Sequence, residues 1–302
     1  MQYITEHELS EINMSSKKMV ELVDETLHIK SDSILPHKTS MKLDDGKIFY
    51  NVMPAIIENK NVAGVKIVNR YPDRTPSLIS NMLLYDVPSG NLKAMIEADY
   101  ITTWRTAAVA VHSISLLARK NYNVISFVGL GVIGKAVLKV YLDTLDSDRN
   151  IEVRLFNYKN RANDVVYEFS NYTNVKWKCF DNYVDMAKDS DVIVSSVTYI
   201  DNDFASPSIY KDGVLIVPVH TRGFIECDTK FDKIFGDDIN HVNGFRDFDK
   251  YKYFAEVADV VNGKCVGREN DTEKILVYNI GIALHDLMFA DYLYNCIVCK
   301  GV

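Results

Sequence analysis

The chain has 302 residues, of which 47% are hydrophobic and 25% charged, and its formal net charge is −7. This length is enough for two domains, each with its own core, and the ordinary composition argues against a disordered chain. Lysine and arginine form no dense cluster, so nucleic acid is not an expected partner.

The apolar runs of the sequence do not fit a membrane span. Residues 124–134 are too few to cross a bilayer. Residues 281–298 are interrupted by the polar side chains of His285, Asp286 and Asp291. The start, MQYITEHELSEINM, differs from the basic and apolar pattern of an export signal. The five scattered cysteines are typical of reduced thiols, and the CxxC of Cys296 and Cys299 has no second ligand pair near it. We therefore expect a cytoplasmic protein without a membrane anchor or a metal site.

The first third of the chain has the pattern of an α+β unit. Residues 16–30 have helical spacing of apolar side chains, and strand-like runs follow at 48–52, 62–68, 78–85 and 92–96. The turn-forming residues 86–90 join the last two runs as a hairpin. A long, buried helix is predicted over residues 102–120, with Thr102 or Thr103 as its N-cap.

From residue 123 the pattern changes to strand, glycine turn, helix and strand, which is a βαβ unit. Further strands at 192–197, 214–219 and 233–235 extend it to a doubly wound parallel sheet of the Rossmann type. Residues 274–299 are predicted to be helical and to return to the first domain. The expected fold class is α/β, with a Rossmann domain at 116–269 and a discontinuous α+β domain at 1–115 and 270–302.

The segment GLGVIG, residues 129–134, has the spacing GxGxxG between a strand and a helix. In this motif Gly129 permits a tight turn, Gly131 lets the backbone approach a pyrophosphate, and Gly134 lets helix and strand pack closely. Val132 and Ile133 begin the helix, whose N-terminus attracts the anion. The context predicts dinucleotide binding, and the alternative is that the glycines serve only the turn.

The cofactor's ribose is normally recognised by a carboxylate at the end of the second strand. Here that position is Asn157, and Lys159 and Arg161 follow it. A 2′-phosphate is then tolerated and can be paired, so NADP(H) is favoured and NAD(H) is the alternative. The alternative is that the two cations are solvated loop residues without a ligand. Ser196, at the end of a later strand, is a further candidate for cofactor contact.

Three segments together resemble the ornithine cyclodeaminase and mu-crystallin family. They are GVK at 64–66, LLYDVPSGNLKAMIEADYITTWRTAAVAV at 83–111, and GRENDTEKILVYNIGIALHDLMFADYLY at 267–294. Within the family, the similarity is strongest to bacterial enzymes that make a siderophore precursor. The resemblance implies a homodimer in which the discontinuous domain supplies both the dimer sheet and the substrate pocket.

The resemblance also implies roles for individual residues. Lys66 and Arg105 match the lysine and arginine that hold an amino-acid substrate in the family, and a guanidinium can clamp a carboxylate through two hydrogen bonds. Without the resemblance, each would be interpreted as a solvated surface charge. Lys38 matches a further basic substrate contact, and Asn279 and Gly281 match a position near the cofactor.

The sequence departs from the cyclodeaminases at one position. Those enzymes carry an aspartate just after a late Rossmann strand and use it in cyclisation, whereas strand 214–219 is followed here by HTRGF. His220 is therefore a candidate acid or base, and Arg222 a candidate contact for a second carboxylate. The alternative for His220 is that it only ends the strand.

These observations predict an NAD(P)-dependent enzyme that acts on the CH–NH bond of a small amino acid or imine. The expected reactions are imine reduction, reductive amination or amino-acid dehydrogenation, in siderophore or natural-product biosynthesis. One alternative is an ornithine cyclodeaminase with a substitute for the aspartate. The other is a protein that binds NADPH and a small ligand without turnover, as mu-crystallin does.

Overall fold

The structure, a computed structural model, describes residues 1–198 and 200–300. It divides the chain into two compact units, Met1–Arg105 with Ile282–Val302, and Thr106–Gly281. The sequence placed the boundaries after residue 115 and before residue 270. The first observed boundary lies inside one continuous helix, Asp99–Leu117, where no change of pattern marks it. The domain roles given by the resemblance stay predictions.

The first unit is built on a six-stranded sheet. Its strands are β1 (Gln2–Ile4), β2 (Thr39–Leu43), β3 (Ile48–Ile57), β4 (Val62–Arg70), β5 (Leu78–Asp86) and β6 (Leu92–Glu97). Their order is β1-β6-β5-β4-β3-β2, and only the β1–β6 pair is parallel. The helices of this part of the chain are α1 (Glu6–Ser10), α2 (Ser16–His28) and the start of α3 (Asp99–Leu117).

The second unit is an eight-stranded parallel sheet. Its strands are β7 (Val124–Val128), β8 (Ile151–Phe156), β9 (Val175–Phe180), β10 (Val192–Ser195), β11 (Leu215–Pro218), β12 (Lys233–Gly236), β13 (Phe254–Glu256) and β14 (Ile275–Tyr278). Their order is β13-β12-β14-β11-β10-β7-β8-β9. Its helices are α4 (Val132–Thr144), α5 (Ala162–Glu168), α6 (Tyr183–Ala187), α7 (Cys227–Lys230), α8 (Ile239–Val242) and α9 (Val257–Val261).

This sheet confirms the predicted Rossmann fold. The chain leaves β7 in one direction through β8 and β9, and then returns to add β10 on the other side of β7. Open α/β sheets bind ligands at the carboxyl ends of the strands that flank such a reversal. The glycine segment follows β7, so it lies at this position.

The prediction that residues 274–299 are helical throughout is wrong. Residues Ile275–Tyr278 form β14, between β11 and β12, and every one of them is buried. A short apolar run that is buried on both faces has no periodicity that separates strand from helix. Residues 279–282 are not helical either, and the helix α10 (Ala283–Lys300) packs on α2 and on β3, β4 and β5 of the first unit.

Thr102 and Thr103 do not cap α3, because the helix begins at Asp99. Thr102 instead lies within its first turns.

In the described part of the chain, no helix combines the length and hydropathy needed to cross a bilayer. Nor do the described side chains form a group of three or more His, Cys, Asp or Glu suited to a metal ion.

Candidate active site

Three buried charged side chains meet in the first unit, one each from β4, α3 and α10. Lys66 and Asp286 are fully buried and Arg105 is 7% exposed. The Lys66 Nζ donates to Asp286 Oδ1 at 2.5 Å, and the Arg105 Nε donates to the same oxygen at 2.8 Å. We call Lys66, Arg105 and Asp286 the basic cluster. Charges are this deeply buried only when they are paired or have a function.

The local sequence explains how these side chains come together. Residues alternate along β4 between the helix-covered face and the other face, and Lys66 is on the covered face with Gly64. A Cβ on Gly64 would lie 2.8 Å from the Met82 side chain and 2.9 Å from that of Leu287. The missing side chain of Gly64 therefore lets α10 approach β4, which brings Asp286 to Lys66.

The charges of the basic cluster do not cancel. The pKa of Lys66 is lowered to about 7, first by burial and then by the Arg105 charge, while Asp286 acts in the opposite direction. Burial alone would raise the pKa of Asp286, but Arg105 and Lys66 outweigh it, so the pKa of Asp286 is lowered. Two cations thus share one carboxylate, which leaves one positive charge in excess when Lys66 is protonated.

Arg105 is held so that half of its guanidinium stays available. Among the described residues it hydrogen-bonds only through Nε, and its two terminal nitrogens have no protein acceptor. Those nitrogens form the edge that binds a carboxylate through two parallel hydrogen bonds. Lys38, the further predicted contact, lies near enough for its charge to lower the pKa of Lys66. The structure therefore brings Lys38, Lys66 and Arg105 into one region of the first unit.

In the second unit, the three glycines have the geometry that dinucleotide binding requires. Gly129 has φ +86°, and a Cβ there would lie 2.7 Å from the Ser196 backbone. A Cβ on Gly134 would lie 1.9 Å from the Gly129 carbonyl oxygen, whereas one on Gly131 would meet no atom within 4 Å. Gly129 and Gly134 are thus needed for packing, and Gly131 keeps space open at the N-terminus of α4.

Two predicted cofactor contacts are already bound within the protein. The Ser196 Oγ donates to the Gly129 carbonyl at 2.6 Å, so it supports the glycine loop. The Asn157 Nδ2 donates to Asp181 Oδ1 at 2.8 Å, and its Oδ1 accepts from the Ala162 backbone N–H at 3.1 Å. Asn157 therefore joins the loop after β8 to the end of β9.

Lys159 and Arg161 are exposed on the loop after β8, close in sequence to Asn157. Sequence reasoning did not identify Asp181, which places a carboxylate beside Asn157. The residue follows β9, and β9 pairs with β8 in parallel, so the ends of the two strands adjoin. That adjacency was not visible because β9 was not predicted.

His220 follows β11, at the carboxyl edge of the sheet. Its Nε2 lies 2.6 Å from Ser195 Oγ at the end of β10, and its Nδ1 accepts from the Arg222 backbone N–H at 3.4 Å. Burial lowers the pKa of His220 to about 4, so the imidazole is neutral near pH 7. With Nδ1 as acceptor, Nε2 carries the proton and donates to Ser195. His220 is thus neutral and has both ring nitrogens engaged within the protein, so its role as an acid or base stays a prediction; the Arg222 side chain is exposed.

Asn279 and Gly281 lie just after β14, also at the carboxyl edge of the sheet. The Asn279 Oδ1 accepts from Ser113 Oγ at 3.1 Å, and the side chain is 3% exposed. Gly281 has φ +96°, and its N–H donates to Asp237. Both residues hold the end of β14 in place, and their contact with a cofactor stays a prediction.

Comparison with known proteins identifies the family. N-((2S)-2-amino-2-carboxyethyl)-L-glutamate dehydrogenase of Staphylococcus aureus is 26% identical over 89% of this chain and 86% of the relative. The Thermococcus litoralis Delta(1)-pyrroline-2-carboxylate reductase, solved with NADH and L-proline, has a TM-score of 0.86 at 24% identity, over 100% of this chain and 99% of that one. An archaeal alanine dehydrogenase dimer with bound NAD has a TM-score of 0.85 at 22% identity, over 100% and 97%.

A model of the ornithine cyclodeaminase/mu-crystallin family matches residues 3–301, nearly the whole chain. This match confirms the resemblance inferred from the three sequence segments. The chain belongs to the ornithine cyclodeaminase/mu-crystallin family.

Proposed function

We propose that this chain is a nicotinamide-dependent oxidoreductase that acts on the C–N bond of a small amino acid or the corresponding imine. The observation that carries the proposal is the buried basic cluster, which has an excess positive charge and a free guanidinium edge. The similar S. aureus and T. litoralis proteins are named as a dehydrogenase and a reductase. The open space at Gly131 suits the pyrophosphate of a dinucleotide, so the glycine loop fits this cofactor.

In this proposal the substrate carboxylate binds the terminal nitrogens of Arg105, and its charge balances the excess charge of the basic cluster. Asp286 fixes the guanidinium through Nε, so little ordering is needed when the substrate binds. A nicotinamide cofactor, when bound at the glycine loop, would supply the hydride chemistry that interconverts imine and amine. Lys66, whose pKa is lowered to about 7, gives the accompanying proton to the substrate nitrogen or takes it back.

A ring closure with loss of ammonia is less well supported. The family aspartate is absent after β11, and His220, in its place, is neutral and bound to Ser195. Cyclisation needs a residue that manages protons on the second amine, whereas net oxidation or reduction needs only a carboxylate clamp, a proton donor and the nicotinamide. We therefore propose net redox chemistry instead of proline formation.

The experiment that tests this proposal is a product analysis. Incubation with pairs of an amine and a 2-oxo acid, or with a preformed cyclic imine, should change the nicotinamide absorbance in proportion to the substrate consumed. Ornithine with catalytic NAD should give no proline. Proline and ammonia without net nicotinamide change would show a cyclodeaminase, and cofactor binding without turnover of any substrate would favour the non-catalytic alternative.

For the cofactor, we propose a preference for NADP(H) over NAD(H). The exposed Lys159 and Arg161 support it, because together they outweigh the single carboxylate of Asp181 near a 2′-phosphate. Titration should show tighter binding of NADPH than of NADH. Asp181→Asn should strengthen NADPH binding by about tenfold or less and leave NADH unchanged, because it removes a like charge.

The reverse substitution provides the second arm of this test. Asn157→Asp keeps the oxygen that accepts from Ala162 but adds a carboxylate at the ribose position, so it should reverse the order of the two affinities. The exposed Asp212, which is paired with Lys274, offers a control as Asp212→Asn, with no effect expected. Equal affinities for the two cofactors in all these variants would contradict the preference.

We further propose that the chain forms a homodimer through the open face of the six-stranded sheet. Among the described residues, that face carries exposed apolar side chains, including Ile67, 41% exposed, and Met95, 39% exposed. A similar archaeal protein is a dimer. Sedimentation should give about twice the chain mass of 34.4 kDa for the wild type.

Ile67→Lys should reduce the sedimentation mass to that of one chain, because it buries an unpaired charge at the centre of the proposed interface. Ile239→Lys is a matched control, since Ile239 is 42% exposed in the second unit. A wild-type mass of one chain, or a dimer that Ile67→Lys leaves intact, would rule out this interface.

A further inference from the structure

The second unit contains a cavity of about 260 Å³ that the proposed reaction does not use. It lies between the end of α3, the end of α4 and the segments that precede β7 and β8. The glycine loop is at the first residue of α4 and the cavity at its last, so the 13 residues of this helix separate them by about 20 Å. We call this cavity the edge pocket, because it lies at the amino-terminal edge of the parallel sheet.

One guanidinium in the edge pocket is held in place without being neutralised. Arg149 lies over the Tyr122 ring, 4.1 Å from its centroid, and its Nη2 donates to the Tyr122 carbonyl at 2.6 Å. No carboxylate of the described residues forms an ion pair with Arg149 or with Lys120, the neighbouring cation of the pocket. The orientation of the guanidinium is thus fixed in advance, which reduces the entropy lost when an anion binds.

Arg119 supplies a second polar feature. Its Nη2 is paired with Asp191, but the same carboxylate also binds Lys211 at 2.6 Å, so two cations share one negative charge. The resulting positive excess adds to the charges of Arg149 and Lys120.

The charge and surface of the edge pocket define the ligand. Lys120 and Arg149 contribute two positive charges, Asp146 contributes one negative charge, and Arg119 adds to the positive excess because it shares Asp191 with Lys211. Apolar lining is supplied by Val111, Ile114, Leu145 and the ring of Tyr141. A positive excess beside apolar side chains suits an organic carboxylate with an apolar body.

We propose that the edge pocket binds a small organic monocarboxylate, with its carboxylate on Arg149 and Lys120 and its apolar body against Ile114 and Leu145. The volume admits a ligand of the size of benzoate. This site is separate from the basic cluster and from the glycine loop, so it does not depend on the proposed reaction. The molecule that binds the edge pocket is an effector or a separate ligand, and it is not the substrate of the redox reaction.

The test is calorimetric titration of the full chain with benzoate. We expect the edge pocket to bind benzoate as one saturable site, with a Kd of about 1 mM or tighter. Lys120→Met should weaken benzoate binding about tenfold, because it removes one of the two cations that hold the carboxylate. Lys120 is exposed, so its loss leaves the fold intact. Lys17→Met, which removes an equally exposed lysine of α2, should have no effect. Benzyl alcohol, which has the same ring but no charge, should not compete.

A second variant separates the edge pocket from the basic cluster, which could also attract a carboxylate. Ala118 lines the pocket and is half-buried, so Ala118→Phe should fill the cavity and abolish this site. The thermal unfolding midpoint confirms that the variant is folded. Absence of saturable binding up to about 10 mM benzoate would overturn the proposal, and so would wild-type affinity in a folded Ala118→Phe protein.

Discussion

An Asp286→Asn variant is expected to lose at least about a hundredfold in kcat/KM and about 3 kcal/mol of unfolding free energy. Asp286 is the only carboxylate bonded to Lys66 and Arg105 among the described residues, and it is fully buried. An asparagine keeps the shape and one acceptor oxygen, but it leaves two buried cations without a counter-charge. Lys66 should then lose its proton more readily, and Arg105 should lose its fixed orientation.

The same helix offers a matched control for this prediction. Asp291 also accepts from a lysine, Lys93, at 3.4 Å, but these side chains are 13% and 22% exposed. A partly solvated pair contributes little, so Asp291→Asn should change stability by less than about 1 kcal/mol and leave kcat/KM unchanged. The double variant Lys66→Met with Asp286→Asn should recover stability without activity, because the buried charge is reduced while the proton donor is lost. Normal kinetics in Asp286→Asn would exclude the basic cluster from the substrate site.

Asp286 is a residue of the candidate site that the sequence alone did not identify. Lys66 and Arg105 were found through their match to family segments, whereas Asp286 is 220 residues from Lys66 and only the fold brings them together. One signal was present, since a carboxylate within the apolar helix segment ALHDLMFA is rare without a partner. In the sequence alone, Asp286 is recognisable only as an interruption of an apolar run, because its partners lie far away along the chain.

The glycine loop was more accessible to sequence reasoning because its constraints are local. The turn at Gly129 and the close approach of Gly134 to the Gly129 carbonyl involve residues only five positions apart, although Ser196 also packs on Gly129. β14 was missed for the opposite reason. Its apolar run ILVY is defined as a strand by its neighbours β11 and β12 and not by its own pattern. The local geometry and the parallel sheet were therefore predicted, whereas β9 and β14, which are defined by their neighbours, were not.

Gly131→Ala is expected to weaken binding of both NADH and NADPH by about tenfold to a hundredfold and to leave the stability unchanged. The backbone of Gly131, at φ −83° and ψ −165°, is accessible to alanine, and the added Cβ would meet no protein atom within 4 Å. The protein itself therefore has no use for a glycine here. The only expected obstacle to the methyl group is a pyrophosphate that approaches the N-terminus of α4.

Two other glycines make this argument specific. Gly244 also has open space around its Cβ position, so Gly244→Ala should change neither stability nor cofactor affinity. Gly134→Ala should instead destabilise the fold, because its Cβ would lie 1.9 Å from the Gly129 carbonyl oxygen. Equilibrium titration of each folded variant with NADH and NADPH, beside thermal unfolding, distinguishes the three cases. If Gly131→Ala bound both cofactors as tightly as the wild type does, the loop would be a structural turn, and a nicotinamide reaction would lose its physical basis.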